Sequence, residues 1–329
     1  MTAKKSIPIA LLIVGLAALW LVPTVTESES LINLMILIFI YTMLATSWNI
    51  LGGYTGQVNL GHAAFFGLGT LATRLLYSGG YPLLLALSAA GVLAAAFSLL
   101  VGIPAFRLRL RGDYFTIGTL ALSQILYVTV GNVFPRITYL PLADIQDYQI
   151  APRYYITLAL TLITIGVAYG LVKSRLGFGM VAVRENEEAA ESLGVNAFRH
   201  KLLALVVSAF LAGLAGGAYA YYQTSYYFNY TFMPLWSLDP VTMTFVGGVG
   251  TFIGPIIGAV FFVVVKEFLV LRMGEYHLIV FGTLFILVVL FLPGGLVEVW
   301  KRIRQVVTRR PQERRTCSPT DAETGLTCR

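Results

Sequence analysis

A chain of 329 residues that is 57% hydrophobic and only 12% charged, with a mean hydropathy of +0.77, carries more apolar surface than a soluble fold can hide. That excludes a soluble enzyme or binding domain and predicts an all-α polytopic membrane protein. The net charge of +7 gathers beside the apolar runs, a pattern of membrane topology that leaves no nucleic-acid footprint.

Ten apolar runs of spanning or near-spanning length follow one another along the chain. The first, 7–24, comes after Lys4 and Lys5 and lacks a small-x-small cleavage site, so it reads as a retained span rather than a signal peptide. The second, 31–51, runs into a stretch where Gly52, Gly53, Gly56 and Gly61 break the helix among Gln57, Asn59 and His62. An unsatisfied polar group in hydrocarbon costs several kcal/mol, so this backbone must be packed in protein or line a wet cavity. Two readings stand: Gln57, Asn59 and His62, with Gln124 further on, line a path for a polar solute, or the stretch is a connecting turn in which Asn59 caps a helix. Runs at 62–78, 82–104, 115–131 and 152–172 follow, with Arg107, Arg109 and Arg111 between the fourth and fifth.

Residues 173–201 then form a charged segment that reads as a short helix outside the membrane. Arg184, Glu185, Glu187, Glu188 and Glu191 crowd one or two turns. Val181, Val183, Ala189, Ala190 and Leu193 leave an apolar side, and Gly194 supplies a stop. Residues 202–222 include a small-residue face, Ala212 to Ala218, for tight helix contact, and end in tyrosines 219, 221, 222, 226, 227 and 230, read as an aromatic belt. The fourteen residues of 239–252 are too few to cross, so this helix is short, broken or re-entrant. Gly247, Gly248, Gly250 and Gly254 separate it from 256–272, which carries adjacent Lys266 and Glu267, each expected to find a partner on another helix or to snorkel. The last run is 277–293.

Most lysines and arginines fall at Lys4–Lys5, Arg107–Arg111, 173–201 and the tail, which ten crossings place on one side, so both termini and segment 173–201 are expected to be cytoplasmic. The opposite loops hold Glu27, Glu29, Asp144, Asp147, Asp239 and Glu275. Residues 1–300 read as one transmembrane domain with a break in each half, and five spans in each half would make any structural repeat a five-plus-five inverted one. Residues 301–329, with Cys317 and Cys328, read as a basic, disordered cytoplasmic tail without a redox or metal role.

No phosphate-cradling Gly-x-x-x-x-Gly-Lys-Ser/Thr loop is present, nor a metal or nucleophile motif, so the chain cannot draw on ATP alone and no metal is expected. That leaves a partner-driven permease, or a self-contained secondary carrier using Lys266, Glu267 and His62. Glu188-Ala-Ala-Glu-Ser-Leu-Gly194 is similar to the cytoplasmic loop by which bacterial ABC importer permeases dock on their ATPase. Together with Gly56-Gln-Val-Asn-Leu-Gly-His62, Arg109-Leu-Arg-Gly-Asp-Tyr-Phe115 and Gly247-Gly-Val-Gly-Thr-Phe-Ile-Gly-Pro255, it resembles the branched-chain amino-acid permease family, LivM type, over about residues 31–300. The resemblance implies a bacterial inner-membrane subunit that works with a second, LivH-like permease, two cytoplasmic ATPase subunits that use ATP, and a periplasmic substrate-binding protein. It implies that Arg184, Glu185, Asn186 and Glu188 make polar contacts with the ATPase, that Ala189 and Ala190 permit close approach and that Gly194 fixes the elbow. Urea and short-chain amides, also carried within the family, are the alternative solutes.

Overall fold

The computed structural model describes residues 3–26, 28–110, 112–291, 294–298 and 300. The tail 301–329 with its two cysteines, Glu27 and Arg111 lie outside the described residues. The ten apolar runs become α1 (Ala3–Val25), α2 (Glu29–Thr55), α3 (His62–Ser78), α4 (Leu83–Arg107), α5 (Asp113–Val133), α7 (Ile150–Lys173), α10 (Ala197–Tyr222), α11 (Leu235–Gly247), α12 (Gly254–Met273) and α13 (His277–Phe291). Between them lie α6 (Leu142–Gln146), α8 (Arg175–Glu185) and α9 (Glu187–Ser192). Six of these, α2, α4, α5, α7, α10 and α12, are long and apolar enough to cross a membrane. The all-α polytopic architecture is therefore present, with six helices of spanning length and composition among the described residues.

The bundle is organised around α10, which packs on α2, α3 and α4. Its small-residue face makes this possible: a methyl added at Gly213 would sit 2.6 Å from Ala90 O on α4, and one at Gly216 would collide with Phe66 O on α3. Backbone touches backbone on both sides. At the far end of α10, Arg74 reaches from α3 to donate to Ala220 O at 2.8 Å and Gln223 O at 2.5 Å, and Arg153 reaches from α7 to Tyr221 O at 3.2 Å. Both side chains are buried, and their cations sit where the helix dipole favours them.

Two expectations are corrected here and one element is added. The tyrosine cluster is only partly a belt: Tyr227 and Tyr230 are exposed, but Tyr219 and Tyr226 are core residues, Tyr226 OH donating to Thr70 O at 3.3 Å. A small antiparallel pair, β1 (Ile137–Tyr139) and β2 (Ser225–Tyr227), holds this end together with Ile137 opposite Tyr227, which apolar periodicity did not reveal. Asp239, expected in an outer loop, lies inside α11, because that helix starts four residues earlier than the apolar run.

The two glycine-rich breaks meet. Gly56 ends α2 in a left-handed turn (φ +71). The turn between α11 and α12 closes so tightly that a side chain on Gly247 would collide with Gly254 O. Asn49 of α2 joins the two: its Nδ2 donates to Thr251 O and its Oδ1 accepts from Gly250 N–H, both at 2.9 Å.

Candidate functional site: the charged segment and the two helix breaks

The segment after α7 is built from three caps. Ser174 accepts from Gly177 N–H at the start of α8, Asn186 from Ala189 N–H at the start of α9, and Asn196 from Arg199 N–H at the start of α10. Asn186 takes an extended conformation (φ −159, ψ 109), so the single helix expected over 184–194 is two helices with a corner between them. The corner arises because a capping asparagine offers its side chain in place of the next backbone acceptor. At the other end of α9, Gly194 is left-handed (φ +87), with Val195 N–H returning to Ala190 O and Gly194 N–H to Glu191 O at 2.9 Å each. This is the paired C-terminal closure that a glycine permits, so Gly194 is the stop expected of it.

The corner and the stop decide which face is buried. Val183, Ala190 and Ala197 form a small core with Val195 and Ala182 packed against it. Behind it, Lys201 of α10 pairs with Glu187 at 2.7 Å, the lysine side chain 4% exposed. Of the residues expected to share one apolar side, Val183 and Ala190 are buried while Ala189 and Leu193 face outward, and Leu193 is 86% exposed. Glu188 and Glu191 are exposed beside it. The tip is therefore acidic with an apolar knob, held from behind by a buried ion pair.

Arg184 points away from that tip. Its Nη1 donates to Gly53 O at 2.8 Å in the last turn of α2, while its Nη2 pairs with Glu185 at 2.6 Å. The stem covers Gly56, where an added methyl would lie 3.0 Å from Arg184 Cγ. At Gly250 an added methyl would lie 2.5 Å from Nη1. One guanidinium thus rests on both helix breaks at once, and only glycine leaves it room. Of the residues assigned to docking, Glu188, Ala189 and Gly194 lie at the exposed tip. Ala190 is buried, Asn186 forms the corner, Arg184 reaches the end of α2, and Glu185 is exposed with Arg184 as its ion-pair partner.

Gln57, Asn59 and His62 lie together in the turn between α2 and α3, and Gln124 is half-buried on α5. Asn59 is fully buried; its Oδ1 accepts from Gly61 N–H at 2.8 Å and its carbonyl from Trp48 Nε1 at 2.8 Å. His62 is fully buried with Nε2 2.8 Å from Ser47 Oγ. The turn is fastened to α5 by Thr116, whose hydroxyl donates to Val58 O, and to α11 by Ser237, which accepts from Ala63 N–H at 2.7 Å. Gln57 Oε1 is buried without a hydrogen-bond partner. Asn49 belongs with this constellation and was not singled out from sequence. Its signal is an asparagine inside an apolar run one helical turn before Gly53.

Comparison with known proteins adds to this geometry. Residues 30–289 match the family described as branched-chain amino acid transport system / permease component. The high-affinity branched-chain amino acid transport system permease protein LivM of Escherichia coli (strain K12) is 28% identical, covering 90% of this chain and 75% of that protein. The autoinducer 2 import system permease protein LsrC of Enterobacter sp. (strain 638) is 29% identical over 78% of this chain and 74% of its own length. A probable branched-chain amino acid transport permease protein LivM of Methanocaldococcus jannaschii is 23% identical over 82% of this chain and 94% of its own length. No solved structure matches. With an all-α membrane bundle, a capped charged segment outside it and a family match across most of its length, the chain belongs to the permease-component family of branched-chain amino acid transport systems and is a membrane permease subunit of an ABC importer.

Proposed function

We propose that this chain carries branched-chain or related amino acids across a bacterial inner membrane together with a second, LivH-like permease. Two cytoplasmic ATPase subunits supply the energy of ATP, and a periplasmic binding protein supplies the substrate. Both termini and segment 173–201 face the cytoplasm in this reading, in accord with the lysine and arginine distribution. The observation that carries the docking role is the tip at Glu188–Leu193. An exposed acidic surface with a bare leucine, braced by Val183, Ala190 and the Lys201–Glu187 pair, can receive a partner and pass on its displacement without yielding. ATPase closure would shift α9 as a rigid body. Arg184 and Asn49 would carry the shift to the ends of α2 and α11, because those contacts tie both breaks to one segment.

The path reading keeps Gln57, Asn59, His62 and Gln124. Asn59 and His62 hold the turn through Oδ1 and Nε2, yet Asn59 Nδ2 and His62 Nδ1 are buried without a partner just as Gln57 Oε1 is, so all three stay candidates for the path beside Gln124. ATP-dependent uptake in vesicles tests the docking role: Glu188→Lys should lower it at least about tenfold, the effect of 1.4 kcal/mol or more at the docking face, while membrane insertion stays normal. Unchanged uptake overturns it. Competition among labelled leucine, urea and acetamide tests the solute. Uptake by this chain alone, driven by an ion gradient, would instead establish a self-contained carrier.

A further inference from the structure

Lys266 and Asp239 take no part in the coupling described above. Lys266 is the thirteenth residue of α12, about 18 Å along the helix from Gly254, well inside a hydrocarbon layer of roughly 30 Å. Its ammonium does not run along the helix to an interface; it turns to Asp239 of α11, with Nζ 3.3 Å from Oδ2. Tyr41 of α2 donates to the same oxygen at 3.2 Å. Both donors therefore land on Oδ2, no hydrogen bond among the described residues reaches Oδ1, and the ammonium also lies 5.4 Å from the centre of the Phe262 ring.

That geometry is open on one side. The Lys266 side chain is 36% exposed and that of Asp239 13%. The exposed apolar stripe of α12, Val260, Val264 and Phe268, is not where the lysine points: two residues from Val264 is about 200° around the helix. A charged pair with open valences facing lipid costs several kcal/mol, so the open side faces a polar partner or water. Behind the pair Tyr41 stacks on Trp236 at 5.5 Å, a ring buried in the core, so that side of the pair is closed and rigid.

We propose that Asp239, Lys266 and Tyr41 form an intramembrane recognition site for the two charged groups of a zwitterionic α-amino acid. The substrate carboxylate takes the Lys266 protons not directed at Asp239, and its ammonium takes Asp239 Oδ1. Spent of its ligand, the pair closes on itself, so neither charge is left alone between transport cycles. This rests on the amino-acid reading of the substrate given above.

The test uses the complete transporter in proteoliposomes, with Cys317 and Cys328 replaced by serine. A membrane-impermeant anionic methanethiosulfonate should modify Lys266→Cys in the assembled complex. The aminoethyl reagent, which returns a positive charge, should restore uptake where the sulfonatoethyl reagent does not. Protection of the thiol from both water-soluble reagents, with modification by a lipid-soluble maleimide only, overturns the proposal, as does thiol access in the isolated chain that is lost on assembly, which would make the pair a contact with the second permease. A double variant, Asp239→Leu with Lys266→Met, separates recognition from a structural clip. It should co-purify with the other subunits yet lose leucine uptake by roughly ten- to a hundredfold, the loss of charge-assisted bonds to the substrate. Uptake at the unaltered level shows a clip and overturns the site. Failure of the amino-acid reading shows separately, as absence of leucine uptake by the unaltered transporter, and overturns both.

Discussion

Arg184→Gln is the most direct probe of the link between the charged segment and the membrane helices. The wild-type guanidinium donates to Gly53 O at 2.8 Å, and hydrogen bonds to charged groups are worth about 1.5–3 kcal/mol. The acceptor lies in the last turn of α2, where a cation gains a further 0.3–1 kcal/mol or so. Because the side chain is 34% exposed, solvent screening brings the junction to about 1–2 kcal/mol. A loss of that size moves the balance between engaged and slack junctions by roughly five- to thirtyfold. Transport completed per ATP hydrolysed should fall by that factor in proteoliposomes, while the ATPase subunits still co-purify, since Arg184 is engaged at Gly53 O and not with the Glu188–Leu193 tip. Arg184→Lys should fall in between, keeping the charge but not the flat fork that rests on both breaks. An unchanged ratio of transport to hydrolysis in Arg184→Gln refutes the argument. Loss of the ATPase subunits refutes it differently, by placing Arg184 in the docking surface.

Gly53→Ala should destabilise the protein in detergent by about 1–3 kcal/mol, the range for overpacking a close contact, because its methyl would meet Asn49 Oδ1 and lie 2.7 Å from Gly250 N. Gly118→Ala on α5 is the matched control: nothing lies within 4 Å, so the better helix former should leave the unfolding midpoint unchanged or raise it. Lys201→Met should cost about 3–5 kcal/mol locally, the usual result of removing one partner from a buried ion pair. Hydrogen exchange should then speed up across α8 and α9 and not in α10, and moderate salt should not mimic the effect on the wild type, because a pair with a lysine side chain 4% exposed is poorly screened.

The helix breaks were legible because glycine and amide side chains among apolar residues are costly unless structure requires them. Gly56 and Gly194 could be placed in chain terms alone, since a left-handed turn is a local demand. That the two breaks touch could not, because Asn49 and Gly250 lie 201 residues apart and neither carries a local sign of the other. The corner at Asn186 was within reach: an asparagine followed by two glutamates is a helix start, and reading it as one would have turned Leu193 outward and Arg184 inward. Arg74 and Arg153 were passed over for a different reason. Positive side chains near span ends look alike in sequence whether they reach for water or cap a helix, and here α10 offered carbonyls without donors. Arg184 joined the docking cluster in sequence because its charged neighbours are adjacent in the chain, yet what a guanidinium does at such a place is decided by the nearest carbonyl left without a donor. In this protein that carbonyl belongs to Gly53, at the break of a helix 131 residues away, and so the charge that looked like part of the surface offered to a partner is the one that ties that surface to the membrane.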